Sequence, residues 1–246
     1  MNSREKITAF EHHRRVADQI AEIIITLLSR QEEPLAVSIA GESGSGKSEV
    51  SMALRDTLTR SAIATMLLPQ DDYFFYAPRA NEAKRRQDIG WVGMNEVLLD
   101  ALDLCIGAIK ARQPHIIKPR VVYAEDRIIE EAISSEGIQV IIVDGTYTTT
   151  LGNIDVRVFI DLDYMATREF RWIRAREVQD EFLEQVLAIE HEIIGSHREK
   201  ADIIINRDFK LEIHARSPVF RVEPPMTPSV NTLLPIQPPA VYPAPA

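Results

Sequence analysis

The stretch Gly41-Glu42-Ser43-Gly44-Ser45-Gly46-Lys47-Ser48 constrains the fold of this chain more than any other. It follows the apolar run Leu35 to Ala40 and precedes a helix-like run from Glu49 to Thr59, so the order predicted is strand, phosphate loop, helix. Glycines at 41, 44 and 46 let the backbone approach an anion without a Cβ in the way. Successive N–H groups then converge as a nest, reinforced by the positive end of the helix that follows. The pattern G-x-x-x-x-G-K-[ST] assigns Lys47 to the β- and γ-phosphates and the Ser48 hydroxyl to Mg²⁺. A Gly/Ser turn carrying a solvated lysine is the plain alternative, and the strand before and helix after the motif favour phosphate binding.

Composition narrows the partners. A net charge of −9 over 246 residues disfavours general binding to a nucleic-acid backbone. One cysteine, Cys105, excludes an intramolecular disulfide framework and a cysteine-rich metal site, and its place in the apolar run Val97 to Ile109 predicts a buried thiol. The polar start Met1 to Lys6 lacks a signal-type apolar core, and no run of about eighteen apolar residues spans a membrane. The expectation is a cytoplasmic enzyme with a small-molecule partner; a homo-oligomer is compatible with the sequence.

In chain order, the spacing predicts a helix over residues 4–31, with Ala17, Ile20, Ile24, Leu27 and Leu28 on one face. His12 and His13 read as surface residues of that helix. A second strand over 62–68 runs into Gln70-Asp71-Asp72-Tyr73, at the carboxyl edge where open α/β sheets bind ligands. Residues 77–92, with Arg79, Lys84, Arg85 and Arg86, read as a mobile cationic flap. A helix over 95–111 and two accessory strands near 116–123 and 128–133 follow, the first containing Pro119, which suits no central strand. Val140-Ile141-Ile142-Val143-Asp144 is the strongest buried-strand signal, followed by strands over 156–160 and 201–206 and helices over 164–178 and 180–197. Strands alternating with helices predict an α/β fold, a mostly parallel five-stranded sheet covered on both faces. The organisation expected is an N-terminal helix over 1–34, a core domain over 35–214 with an acceptor and flap region at 71–135 and a lid helix at 164–178, and a tail over 215–246. Nine of the 14 prolines fall between Pro218 and Pro245, a density that precludes regular structure.

A phosphate loop names nucleotide binding and leaves the reaction open. The Asn-Lys-x-Asp and Asp-x-x-Gly elements of GTP-binding switches are absent. The loop, Gln70-Asp71-Asp72-Tyr73-Phe74, the run Val140 to Gly145, Val158 to Asp163, Thr167-Arg168-Glu169-Phe170-Arg171 and the strand Ala201 to Asn206 together resemble the uridine kinase and phosphoribulokinase family, over roughly residues 35–207. The resemblance implies the P-loop NTPase fold, ATP and Mg²⁺ as cofactors, and a catalytic aspartate at Asp71. On its own chemistry, a carboxylate there can take the proton of an alcohol acceptor. Asp144, ending a buried strand beside the loop, is the candidate Mg²⁺ ligand with Ser48. Arg168, Arg171 and either Arg174 or Arg176 are candidate lid arginines; Trp172 stands where the family has the second arginine of a pair.

The acceptor side departs from the family. Its ribose-binding acid is missing from Ile89 to Asn95, and Tyr123 is followed by Ala124-Glu125-Asp126-Arg127 without the family's base-reading histidine. Tyr73, Arg120, Tyr123, Glu125 and Asp126 are the candidate acceptor contacts. A site without its polar partners discriminates against the ligand that needs them, so uridine and cytidine are expected to be poor substrates and an anionic polyol better. A true uridine/cytidine kinase and a nucleotide-sensing regulator that transfers nothing are the alternatives.

Overall fold

The computed structural model describes residues 3–174 and 180–214. Arg176 and the proline-rich segment 215–246 lie outside the described residues, as does the side chain of Arg174. Helix α1 (Ser3–Leu28) precedes strand β1 (Leu35–Gly41), which passes through the loop into α2 (Lys47–Arg60) and then β2 (Thr65–Pro69). After a short 3-10 turn at Gln70–Tyr73 come α3 (Pro78–Gln87), α4 (Leu99–Lys110), β3 (His115–Val122) and β4 (Arg127–Ser134). The chain continues through β5 (Val140–Asp144), β6 (Val156–Ile160), α5 (Arg168–Arg174), α6 (Glu181–Gly195), β7 (Ile203–Ile205) and β8 (Leu211–Ile213).

The main sheet has six strands in the order β2-β5-β1-β6-β7-β8. Its first five are the parallel strands that the sequence predicts. The sixth is an addition: β8 returns antiparallel on β7 after a turn in which the Asn206 side chain accepts from the N–H groups of Asp208 and Lys210. A three-residue strand with Glu212 at its centre carries no periodic signal long enough to read.

Alternate residues of each strand serve opposite layers. Val37, Ile39, Val140, Ile142, Val158 and Ile203 pack under Ile20, Ile24, Leu54 and Leu58 of α1 and α2. Ala36, Ala40, Ile141, Val143, Phe159 and Ile204 face Leu102, Ile106 and Ile109 of α4 and Ile194 of α6. Both faces are covered, which is why β1 and β5 read as largely apolar runs, broken in β1 only by the buried Ser38. Cys105 is buried in the second layer, as its setting predicts.

Strands β3 and β4 form a separate antiparallel hairpin, with Pro119 opposite Glu130 where no central ladder is interrupted. Asp72 fastens it to the sheet. Its carboxylate accepts from Lys118 Nζ at 2.7 Å and from the Val121 N–H at 2.9 Å.

The stretch expected to be a cationic flap is largely helix α3, started by Pro78 at its first position. Arg85 and Arg86 are internally engaged. Arg85 forks onto Glu96, whose side chain is fully buried, and bonds Glu190 at 3.2 Å; Arg86 bonds Glu82 and Asp180, each at 2.9 Å. Glu96 also accepts from Asn81 Nδ2 at 2.6 Å and from the Gly93 N–H at 2.8 Å. Removing this carboxylate would strand a guanidinium and two further donors away from water. Glu96→Ala should therefore destabilise the protein by about 3–5 kcal/mol, read as a lower urea midpoint, with Glu96→Gln losing less because the amide oxygen still accepts.

Candidate functional site

Sheet register brings the chemistry together before any side chain is considered. Asp144 is level with Ile39 of β1 on one side and Pro69 of β2 on the other. The phosphate loop therefore begins two residues beyond Asp144, and Asp71 stands two residues beyond the same level on the far side. All three emerge at the carboxyl edge, where the chain order reverses about β1.

The loop has the conformation its glycines permit. Gly44 and Gly46 have φ of 79° and 95°, the left-handed region that L side chains rarely enter. Gly46 caps α2, and the Val50 N–H bonds its carbonyl at 2.9 Å, so the helix starts directly from the loop. Lys47 folds back along the cradle, its Nζ donating to the Glu42 carbonyl at 2.8 Å.

Opposite the lysine, Ser48 Oγ donates to Asp144 Oδ2 at 2.9 Å. Burial pushes the Asp144 carboxyl above the usual carboxylate range; the Ser48 bond opposes this, the charge of Asp71 adds to it, and Lys47 opposes it. Two hard oxygen donors at the mouth of an anion-binding nest fit Mg²⁺, which takes few protein ligands and completes its shell with water and phosphate. Asp71 is exposed, and Tyr123 Oη donates to its Oδ2 at 3.4 Å. Neighbouring carboxylates thus take opposite roles: Asp71 faces outward while Asp72 anchors the hairpin.

The lid side is built on the loop itself. Thr167 Oγ1 donates to the Ser43 carbonyl at 2.9 Å, and Arg171 Nη1 donates to Thr167 Oγ1 at 2.8 Å and to the Tyr164 carbonyl. A Cβ on Gly44 would meet Arg171 Cγ at 2.8 Å, so the arginine stem lies against the loop. Arg171 is buried; Arg168 is exposed, 3.6 Å from Glu184. The Glu42 side chain accepts from the Tyr164 N–H at 2.7 Å and pairs with His191 Nδ1 at 2.7 Å, bracing the loop against α5 and α6. Sequence reading assigned Glu42 only a place in the loop and missed His191, because both act through contacts across more than a hundred residues.

Among the acceptor candidates the structure separates positions that sequence grouped. Tyr73 is 1% exposed, in the core beside Cys105, so it does not face the edge; this corrects its reading as an acceptor contact. Burial pushes its phenol well above the usual range. Arg120 pairs with Glu131 at 2.8 Å, and Glu125 with Arg127 at 2.6 Å. Asp126 accepts from the Arg79 N–H at 2.9 Å, fastening the hairpin tip to the start of α3. Tyr123 alone among them touches Asp71 in the described contacts. Unnoticed in the sequence, exposed Phe75 and Tyr76 form an aromatic cluster with half-buried Trp91, with ring centroids 4.8 Å apart for the first two and 5.6 Å for the last two. A cavity of about 700 Å³ opens at the opposite sheet edge near Thr149, Asp155 and Arg157. Arg157 there donates to the carbonyls of Thr149, Leu151 and Ile154, which makes it a structural tie remote from the loop.

Comparison with known proteins agrees with this geometry. A family model described as zeta toxin matches residues 18–97, the part carrying the loop and Asp71. The bifunctional alpha-galactosidase/sucrose kinase of Mediterraneibacter gnavus is 26% identical over 191 residues, covering 72% of this chain and 20% of that protein. The chain thus spans a minor part of that relative. The uridine kinase of Latilactobacillus sakei subsp. sakei (strain 23K) is 26% identical over 191 residues, 73% of this chain and 88% of the relative. Among solved structures, a candidate fructose transport system kinase from Silicibacter sp. TM1040 has a TM-score of 0.58 at 20% identity, covering 73% of this chain and 94% of that one. At that identity the likeness is one of fold. No helix among the described residues is long and apolar enough to cross a membrane.

The raised Asp144 pKa has a measurable consequence. An unfolded aspartate ionises near 3.9; the folded one holds its proton to higher pH. Stability therefore falls as pH rises from the unfolded value through the folded one, and the cost is fully present above it. Asp144→Asn should melt at a higher temperature than the parent at pH 7 in the absence of metal, an advantage that vanishes below about pH 4, where both carboxyls are protonated. Differential scanning calorimetry across that pH range tests it.

Proposed function

We propose that this chain, which its relatives group with the uridine kinase- and phosphoribulokinase-like P-loop kinases, transfers the γ-phosphoryl group of ATP to a hydroxyl of a small metabolite. The observation that carries the reading is the convergence of Lys47, Ser48 with Asp144, and Asp71 on one sheet edge, fixed by the register of β1, β5 and β2. Phosphoryl transfer is catalysed chiefly by positioning and charge neutralisation. Loop N–H groups and Lys47 hold the phosphates. Ser48 and Asp144 hold Mg²⁺, which when bound neutralises phosphate charge. Asp71, exposed beyond β2, accepts the proton of the acceptor hydroxyl as its oxygen bonds to phosphorus and ADP leaves. Arg168 and Arg171, on the helix joined to the loop by Thr167, screen the moving charge.

For the acceptor, the structure shifts the balance set by the sequence. Most of the cations expected to hold an anion are engaged: Arg85, Arg86 and Arg120 each have a carboxylate partner, and Lys84 lies between Asp88 and the Trp91 ring, while Arg79 is exposed. The exposed rings of Phe75 and Tyr76, which stand against the half-buried Trp91, follow Asp71 closely in sequence, and Tyr123 touches it. Aromatic faces beside carboxylates and a tyrosine hydroxyl favour an uncharged polyhydroxylated ring, such as a sugar, over a sugar phosphate or sugar acid.

Two measurements test this. Asp71→Asn should bind ATP as the parent does and transfer about 10²–10⁴-fold more slowly; a loss of ATP affinity with unchanged turnover of the bound complex would make Asp71 a metal ligand, unchanged affinity and turnover would remove it as the base, and ATP binding without any transfer in the parent would favour a nucleotide sensor. ADP release across neutral sugars, sugar phosphates, sugar acids and nucleosides should be fastest and saturable with a neutral sugar. Efficient turnover of uridine alone would restore the nucleoside kinase reading.

A further inference from the structure

The first part of helix α1 precedes the matching stretch, which begins at residue 18, and its histidines read as surface residues in the sequence. In the structure His13 meets the phosphate loop. A Cβ built on Gly46 would stand 2.5 Å from His13 Nε2, so the imidazole occupies the space a side chain would need there. The ring is held from behind by Phe209, at 4.9 Å between centroids and 86° between planes. His12 lies 5.7 Å from the same ring, and Arg15 Nη2 donates to the Phe209 carbonyl at 3.2 Å, tying α1 to the turn between β7 and β8. Phe209 has a φ of 53°, a conformation that a bulky residue keeps only where its surroundings enforce it.

The sheet order gives this corner a direction. Asp144 and Asp71 follow β5 and β2, on one side of β1, so the transferring end of a bound nucleotide points that way. The remainder must leave toward β6, β7 and β8, where α1 and the Phe209 turn close over the loop. Helix α1 begins at Ser3, ten residues ahead of His13, so about 15 Å of helix stands beyond the level of the loop on this side.

The geometry points to the His13–Phe209 corner as the wall of the nucleotide site that takes the planar base of a nucleoside triphosphate by stacking, with α1 as an integral part of that site. The two perpendicular rings offer a face and an edge to a flat heterocycle, on the flank of the loop away from Asp144 and Asp71. His13 is on this view a positioning residue: it fixes the base so that the phosphates fall into the loop. The inference rests on the kinase reading and adds to it a residue from outside the family-like core.

Equilibrium binding of ATP and of inorganic tripolyphosphate, each with Mg²⁺, separates base from phosphate contacts. His13→Ala should weaken ATP about five- to a hundred-fold, the range of one base–aromatic stack, and leave tripolyphosphate unchanged. His13→Phe, which keeps a flat ring, should recover most of the ATP affinity. Lys47→Ala should weaken both ligands together. Unchanged ATP binding in His13→Ala would overturn the proposal, as would equal loss of both ligands, which would make His13 a prop for Gly46. Failure of His13→Phe to recover ATP binding would also overturn it. A parent protein that binds neither ligand would refute the kinase reading itself, an outcome distinct from failure at His13.

Discussion

The parallel pairing of β1 between β5 and β6 is the constraint on which the rest of the structure depends. Every residue of β1 is buried, so its register against both neighbours is fixed by packing on two faces at once. A slip of one residue would turn Val37 and Ile39 out of the α1/α2 layer and carry the loop away from Asp144. The Ser48–Asp144 contact is thus a product of strand register more than of local sequence. The loop inherits its place from the sheet, and α5 and α6 then brace it through Thr167 and through Glu42 with His191.

Much of this was legible in the sequence where information is local. The loop motif, the five parallel strands and the acids at 71 and 144 follow from periodicity, glycine placement and strand ends. The hairpin around Pro119 was legible because proline excludes a central ladder. What stayed hidden depends on pairing at a distance. Arg85 reads as a free cation until Glu96 and Glu190 are brought to it. Tyr73 and Asp71 look equivalent beside the second strand until the 3-10 turn sends one ring inward and leaves the carboxylate out. His13 reads as a solvated helix residue until α1 lies along α2. Trp91 and Phe75 are sixteen residues apart and become a cluster only when α3 folds between them.

The site also shows where a fold accepts instability. A carboxylate whose pKa is raised by burial works against the folded state until a cation shares its charge. Left-handed backbone at Gly44 and Gly46 and a positive φ at Phe209 gather around the same loop. By contrast Glu96, more deeply buried, has four donors around it and belongs to the scaffold. Glu96 is ringed by donors, whereas Asp144 has the Ser48 hydroxyl beside it.

Asp72 gives the molecule a joint. The hairpin of β3 and β4 is outside the main sheet and is fastened by one buried carboxylate, Asp72, along the far half of β3 and by Asp126 at its tip. The residue that fastens it is the immediate neighbour of exposed Asp71. The hairpin and Asp71 are thus tied through adjacent residues, whereas the phosphate loop is anchored separately in β1. On the proposed kinase reading, sequence drift in residues 115–134 would act on the acceptor side and leave the nucleotide side untouched.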